Sequence, residues 1–412
     1  MSKQSNSMSS RNTAVIKFVV ILISVILAFI AGIVLHRLFQ YGGQENPQPI
    51  YVMTQSTPPV PENTQNLEYA EMILSGMSLS EKVYQLFITY PTEVNAKIRL
   101  SENTQSLMNQ KAVGGFVFSA ASLESSAQTK QLCDDLQALS KIPLIIAADE
   151  EGGRVERLMS KLGTTRVGAM FEYKDDGTEV AYNNACTIAA DLKANGLNTD
   201  FAPVADVWSN PENTVIGDRA YSDDYSQAAE LVAAAVRGFK DSGVLCALKH
   251  FPGHGDTYTD SHYEQAFITK SVAELKSGEL LPFVAGIEAG ADMVMIGHLT
   301  VTEYTDEPAT VSWEVVTKLL RDELKFEGVI ITDSLGMAAV SEYGDAELSV
   351  RAIKAGIDIL LGPTDLDRAA GGIFNAINSG ELTEERINES VLRILRMKLK
   401  QGIISEPNTL DY

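Results

Sequence analysis

Cysteine is scarce in this 412-residue chain: Cys133, Cys186 and Cys246 are the only three. Their number is odd, their spacing is wide, and each falls in helical or strand context. Neither a disulfide framework nor a cysteine metal site follows from that pattern, and the thiols read as small buried apolar side chains. Basic residues are also few, 33 Lys and Arg against 54 Asp and Glu, for a formal net charge of −21. Four of the basic residues precede residue 38, where there is no acid, so residues 38–412 carry 29 basic and 54 acidic side chains, a net of −25. Such a chain offers no basic patch to nucleic acid and repels polyanions. Charge is missing altogether from Phe18 to Leu35.

That uncharged run is 18 residues long, with only Ser24 and Gly32 as interruptions. Extended by Ala14–Ile16, it reaches across a hydrocarbon core of roughly 30 Å as a helix. It exceeds the apolar region of a signal peptide and has no small-x-small cleavage site after it. No cysteine lies near residue 36, which excludes a lipoprotein anchor. Lys3, Arg11 and Lys17 precede the run and Arg37 follows it, so the positive-inside rule puts the N-terminus in the cytoplasm. Pro47, Pro49, Pro58, Pro59 and Pro61 then punctuate a polar stretch that reads as a semi-rigid tether. The expected organisation is a cytoplasmic tail over 1–13, a transmembrane anchor over 14–37, a Pro/Gly/Gln-rich tether over 38–66, a folded domain over 67–405 and a C-terminal tail over 406–412. The protein is then single-pass in the cell membrane, with its folded domain extracellular.

From Leu67 the chain alternates between two patterns. Short apolar runs recur at Gln85–Tyr90, Val113–Phe118, Pro143–Asp149, Thr199–Asp206, Val244–His250, Asp292–His298, Gly328–Asp333 and Asp358–Gly362. Helical stretches separate most of them, among them Ser126–Leu139, Val180–Asn195, Ala228–Asp241, Ser271–Ala289 (broken near Pro282), Trp313–Leu324, Leu348–Lys354 and Thr383–Gln401. Buried strands separated by helices signal a parallel sheet. Eight of them predict a single (β/α)8 TIM-type barrel, with a doubly wound open sheet as the structural alternative. Polar residues favour closure. Asp149, Asp206, His250, His298 and Asp333 all sit at C-terminal strand ends, which converge on one mouth only in a barrel.

Five histidines occur in the chain, and three lie between Lys249 and His262. This segment, KHFPGHGDTYTDSH, follows an apolar strand, and its Pro and Gly residues prevent a helix. Asp260 stands two residues before His262, well placed to set the tautomer of its imidazole and raise its basicity. Asp333 closes a β-branched strand; it reads either as an N-cap for the next helix or as a carboxylate exposed at the mouth. Asp149-Glu150-Glu151-Gly152-Gly153-Arg154 ends another strand in three acids, and Arg219 lies in a further loop. This inventory suits a sugar: carboxylates and cationic forks hold hydroxyls, one carboxylate attacks the anomeric carbon, and a second group protonates the leaving oxygen.

The segments KHFPGHGDTYTDSH (Lys249–His262), DEEGGRV (Asp149–Val155), IGDR (Ile216–Arg219), ITDSLGM (Ile331–Met337) and MSLSEKVYQLF (Met77–Phe87) resemble family 3 glycoside hydrolases, specifically the bacterial β-N-acetylglucosaminidases. The resemblance covers roughly residues 67–402. It implies Asp333 as nucleophile, His262 as acid/base paired with Asp260, and Asp149, Arg219, Lys249 and His250 as ligands of a terminal N-acetylglucosamine, with Arg154 a weaker candidate. His254 is expected to shape its loop rather than react. Many members of the family append a sandwich domain that donates a catalytic Glu; the chain stops shortly after its last helix, and a loop-borne His–Asp pair agrees with the absence of that domain. No cofactor or metal is implied, because the histidines lie in a Pro/Gly loop rather than on a helix of the HExxH kind. The implied activity is that of a retaining exo-β-N-acetylhexosaminidase acting on cell-wall glycans or muropeptides. A glycoside phosphorylase of the same family is the nearest alternative; a β-glucosidase and a non-catalytic glycan-binding protein are more distant. The implied partners are a glycan with terminal N-acetylglucosamine and, through the N-terminal helix, the membrane.

Overall fold

In the computed structural model, residues 64–258 and 265–405 are described. Eight short strands carry the architecture: β1 (Phe87–Thr89), β2 (Gly115–Val117), β3 (Ile145–Ala148), β4 (Thr199–Asp200), β5 (Leu245–Phe251), β7 (Met293–Ile296), β9 (Val329–Thr332) and β10 (Leu360–Leu361). They pair in the order β10-β1-β2-β3-β4-β5-β7-β9, every ladder parallel. The ring closes where Ile331 bridges Ile359 and the Thr332 N–H donates to the Ile359 carbonyl at 3.0 Å. This is a (β/α)8-like barrel; seven of the eight strands fall within the apolar runs expected of them, and β5 runs one residue past its expected end at His250, to Phe251. Residues such as Ile145, Ile146, Leu245, Val294, Ile330 and Ile331 are wholly buried because each parallel strand is covered on both faces.

Helices pack around the ring by burying one stripe each. Ser126–Leu139 matches its predicted limits; Ser125 caps its N-terminus and Thr129, Leu132, Cys133 and Leu136 face inward. The stretch before β7 is broken as expected, into Val272–Ser277 and Leu281–Ala289, with Pro282 in the first turn of the second helix. The helix Leu366–Ser379 was not anticipated, although Asp365 caps it and Gly380 ends it in the left-handed region. The sequence also gave no sign of a second, two-stranded parallel sheet, β6 (Ala266–Ile268) with β8 (Leu299–Val301). Cys133 and Cys246 are buried, as expected of small apolar side chains, and Cys186 is half-buried.

The membrane expectation is corrected. No helix among the described residues is long and apolar enough to cross a membrane. The longest, such as Thr178–Ala194, Tyr225–Asp241 and Glu384–Lys400, have 17 residues each and are amphipathic against the barrel, short of the ~20 apolar residues that a span requires. The anchor expected over 14–37 lies outside the described residues. The transmembrane helix, the membrane as partner and the single-pass extracellular topology are therefore not carried forward.

Candidate active site

The mouth of the barrel is organised around Lys249 on β5. Its ammonium lies 2.9 Å from Asp149 Oδ1 and 2.6 Å from Glu151 Oε1. Glu151 in turn takes a bidentate pair from Arg219, Nε to Oε2 at 2.8 Å and Nη2 to Oε1 at 2.9 Å. Such fork-to-carboxylate geometry is the strong form of an ion pair. Burial opposes the charge on Glu151, yet Arg219 and Lys249 outweigh it and hold the carboxyl well below the usual range. Lys249 is likewise buried, but Asp149 and Glu151 raise its affinity for the proton. Asp149 remains half-exposed, with Arg157 3.9 Å from its other oxygen.

Glu150 faces the opposite way, as alternation after a strand requires. It accepts from the N–H groups of Arg157, Leu158 and Met159 at 2.6, 2.8 and 3.0 Å and so pins the start of the helix Leu158–Leu162. Arg154 is exposed and engaged with its own loop. Its Nη2 donates to the carbonyls of Thr214, Val215 and Ile216, each at 2.9 Å, and its Nε pairs with Asp218 at 2.9 Å.

A second set of contacts fixes the start of the Pro/Gly loop. Asp206 is buried and accepts at 2.7 Å from His250 Nδ1, from the His250 N–H, and from the His254 N–H at 2.6 Å. Burial again disfavours the charge, but His250 and His254 keep its carboxyl below its ordinary value. His254 packs inside the loop with Nδ1 2.7 Å from Thr257 Oγ1, and burial brings its imidazole down to about 4. The loop-shaping part foreseen for it fits those contacts. Asp260 and His262 lie outside the described residues.

Asp333 follows β9, half-buried, its N–H donating to the Ile296 carbonyl at 2.9 Å. Ser334 N–H donates to Asp333 Oδ1 at 2.7 Å. Burial works against ionisation here too, but His250, His298, that N–H and Lys249 together hold the carboxyl below its ordinary range. His298 bonds Thr310 Oγ1 at 2.6 Å and the Ser334 carbonyl at 2.9 Å. In the closed ring β3 stands opposite β9, so Asp149 and Asp333 flank the mouth from facing strands. Among the residues expected at the site, Asp149, Arg219, Lys249, His250 and Asp333 are brought together at this end of the barrel. Sequence reasoning did not single out Glu151, although its spacing of two from Asp149 places both on one face.

Residues 78–397 match the family model described as "Glycosyl hydrolase family 3 N terminal domain". The chain belongs to glycosyl hydrolase family 3. Within the family it is like the β-N-acetylhexosaminidases. It is 33% identical to "Beta-hexosaminidase A" of Pseudoalteromonas piscicida over 74% of this chain and 56% of that protein. It is 37% identical to a "Beta-hexosaminidase" of Xylella fastidiosa (strain M23) over 64% of this chain and 79% of the relative. A family 3 β-N-acetylglucosaminidase from Paenibacillus sp. str. FPU-7 superimposes with a TM-score of 0.76 at 37% identity, covering 81% of this chain and 65% of that one. The family 3 chain thus spans little more than half of the first relative and most of the second.

Proposed function

We propose that this family 3 protein is an exo-acting, retaining β-N-acetylglucosaminidase that removes terminal N-acetylglucosamine from cell-wall glycans or muropeptides. The observation that carries the reading is Asp333: a carboxylate kept ionised by surrounding positive charge at the barrel mouth, facing the Asp149–Lys249–Glu151–Arg219 network across the ring. An ionised acid is a nucleophile, and a network of fixed donors and acceptors is what holds a sugar still.

In the proposed reaction, Asp149, Lys249, His250 and Arg219 hold the terminal sugar. An oxygen of Asp333 bonds to the anomeric carbon as the glycosidic carbon–oxygen bond breaks, and His262, oriented by Asp260, gives its proton to the departing oxygen. Water then loses a proton to the same imidazole and displaces Asp333, restoring the original anomeric configuration. Arg154 acts at one remove, by fixing the loop that carries Arg219. A 5-fluoro N-acetylglucosaminyl fluoride tests the scheme, because it slows release of the covalent ester. The expected adduct lies on the peptide containing Ile330–Met337; label elsewhere overturns the nucleophile. Turnover of a chromogenic N-acetylglucosaminide is expected to persist in phosphate-free buffer, whereas strict phosphate dependence would replace hydrolysis by phosphorolysis.

A further inference from the structure

His298 is a buried histidine for which the proposed reaction has no use. It stands two residues past the end of β7 and is only 1% exposed. The backbone that carries it is fixed from two sides: the Gly297 N–H donates to the Phe251 carbonyl of β5 at 3.0 Å, and the Ile296 carbonyl accepts from the Asp333 N–H at 2.9 Å. Gly297 also leaves room for His250, whose Cβ would lie 3.1 Å from a Cβ at 297. Both ring nitrogens of His298 are engaged. Nε2 lies 2.9 Å from the Ser334 carbonyl, which can only accept, so Nε2 carries a hydrogen. Nδ1 lies 2.6 Å from the hydroxyl of Thr310, itself wholly buried, which can donate to a neutral ring or accept from a charged one. A ring so enclosed is not aimed at a substrate.

What it holds is the residue next to the candidate nucleophile. The Ser334 N–H donates to Asp333 Oδ1 at 2.7 Å, while the Ser334 carbonyl accepts from His298 and from the Met337 N–H at 3.1 Å. One end of Ser334 thus grips a carboxylate oxygen and the other is held by an imidazole. We infer that His298 is a positioning residue: through Ser334 it holds the Asp333 carboxylate in the orientation from which it attacks the anomeric carbon. The inference rests on the reading of Asp333 as nucleophile. The terminal torsion of an aspartate is broad, so a fixed donor is needed to define which oxygen attacks, and a donor on Oδ1 leaves Oδ2 to bond to carbon. Ser334 is a firm donor only if it cannot shift, and its carbonyl bond to His298 holds it. His298 also helps to keep the nucleophile charged: burial opposes ionisation of Asp333, and His250 and His298 lead the charges that outweigh it.

The 5-fluoro N-acetylglucosaminyl fluoride isolates this part on the full chain. An oxygen of Asp333 bonds to the anomeric carbon as fluoride departs with the bonding electron pair, so no proton has to be delivered to the leaving group. Saturation kinetics then separate the rate constant for ester formation from the concentration that gives half of it. For His298→Ala the rate constant is expected to fall about a hundredfold, as for a displaced reacting group, while the half-saturating concentration stays within about threefold, because the Asp149–Lys249–Glu151–Arg219 network is untouched. His298→Gln, whose amide can still donate to the Ser334 carbonyl, is expected to recover about tenfold of that loss. Thr310→Val keeps the shape but not the hydroxyl that orients the ring, and is expected to slow ester formation about tenfold, whereas Thr310→Ser stays within about threefold of wild type. That pair decides the matter if His298→Ala does not fold: equal rates for Val and Ser at 310 overturn the inference. So does a wild-type rate constant in His298→Ala, or a loss matched by an equal loss of binding, and each of these leaves the nucleophile reading intact. A wild-type protein that forms no ester on the peptide containing Ile330–Met337 overturns that reading, and this inference with it.

Discussion

Glu151 shows how one buried residue can govern a whole cationic site. Two positive groups, Lys249 and Arg219, meet on its two oxygens, and all three are almost wholly removed from water. Replacing a partner in such a cluster leaves the others buried and uncompensated. Glu151→Gln is therefore expected to lower unfolding stability by roughly 3–5 kcal/mol in chemical denaturation, and to raise KM by releasing Arg219 and Lys249. The carboxyl is held below its unfolded value of 4.5, so its contribution is complete above that pH and fades as pH drops further. The acid side of the stability profile should be flatter in the variant; an unchanged slope would deny Glu151 this part. Asp333→Ala probes chemistry instead. Positive surroundings hold its carboxyl below the ordinary range, so the ionised group stabilises the fold and its loss should lower stability modestly at neutral pH, while kcat falls by a factor on the order of 10⁴ or more. Residual turnover near wild type would rule out covalent catalysis at this position.

At the scale of elements, the Pro/Gly loop after β5 is fitted against its neighbours more tightly than any side-chain count suggests. A Cβ on Gly255 would collide with the Val207 carbonyl, and the Gly255 carbonyl accepts from the Asn210 N–H at 3.3 Å. Both partners are backbone and neither can swing aside, so Gly255→Ala is expected to cost about 1–3 kcal/mol as an overpacking change and to reduce turnover with it. Gly371, in the helix Leu366–Ser379, has nothing within 4 Å; Gly371→Ala should stabilise by about 1 kcal/mol through helix propensity. Thermal melts of the two variants moving in the same direction would contradict this account. The same contrast explains what could be read beforehand. The eight barrel strands were legible because parallel strands covered on both faces leave apolar runs that polar strand ends punctuate. β6 was not, because its apolar run, Ala266-Phe267-Ile268, is only three residues long and leaves Phe267 exposed, too little to mark a strand. The site was legible as residue types at strand ends, but not its wiring: nothing in the order Asp149-Glu150-Glu151 says that the middle acid caps a helix while its neighbours hold Lys249. Alternation along an extended chain does say it, once the strand is known to end at Ala148.

At the scale of the barrel, Lys398 lies at the end away from the candidate site and reports on that end alone. It lies on the last long helix, wholly buried against the N-terminal strand ends, donating to Gln85 Oε1 at 3.1 Å and to the Gly114 carbonyl at 3.0 Å. Gln85 precedes β1 and Gly114 precedes β2, so this is the floor of the barrel and not its mouth. Both recorded partners are neutral. Burial pushes the ammonium down to about 7, from the 10.5 of an exposed lysine, and a neutral amine still supplies two donors for two acceptors. Between those limits the unfolded chain binds a proton that the folded chain does not, so stability must rise as pH rises from about 7 towards 10. Lys398→Met removes the titrating group and should abolish that rise, though Gln85 Oε1 then loses a donor and the variant starts from lower stability, by about 1–3 kcal/mol. Its kcat/KM, measured at the mouth some strand lengths away, should stay within a few-fold of wild type. Denaturation series at pH 7, 8, 9 and 10 decide the matter: parallel profiles for the two proteins would mean that Lys398 keeps its charge in the folded barrel, and that the floor holds a counter-charge beyond Gln85 and Gly114.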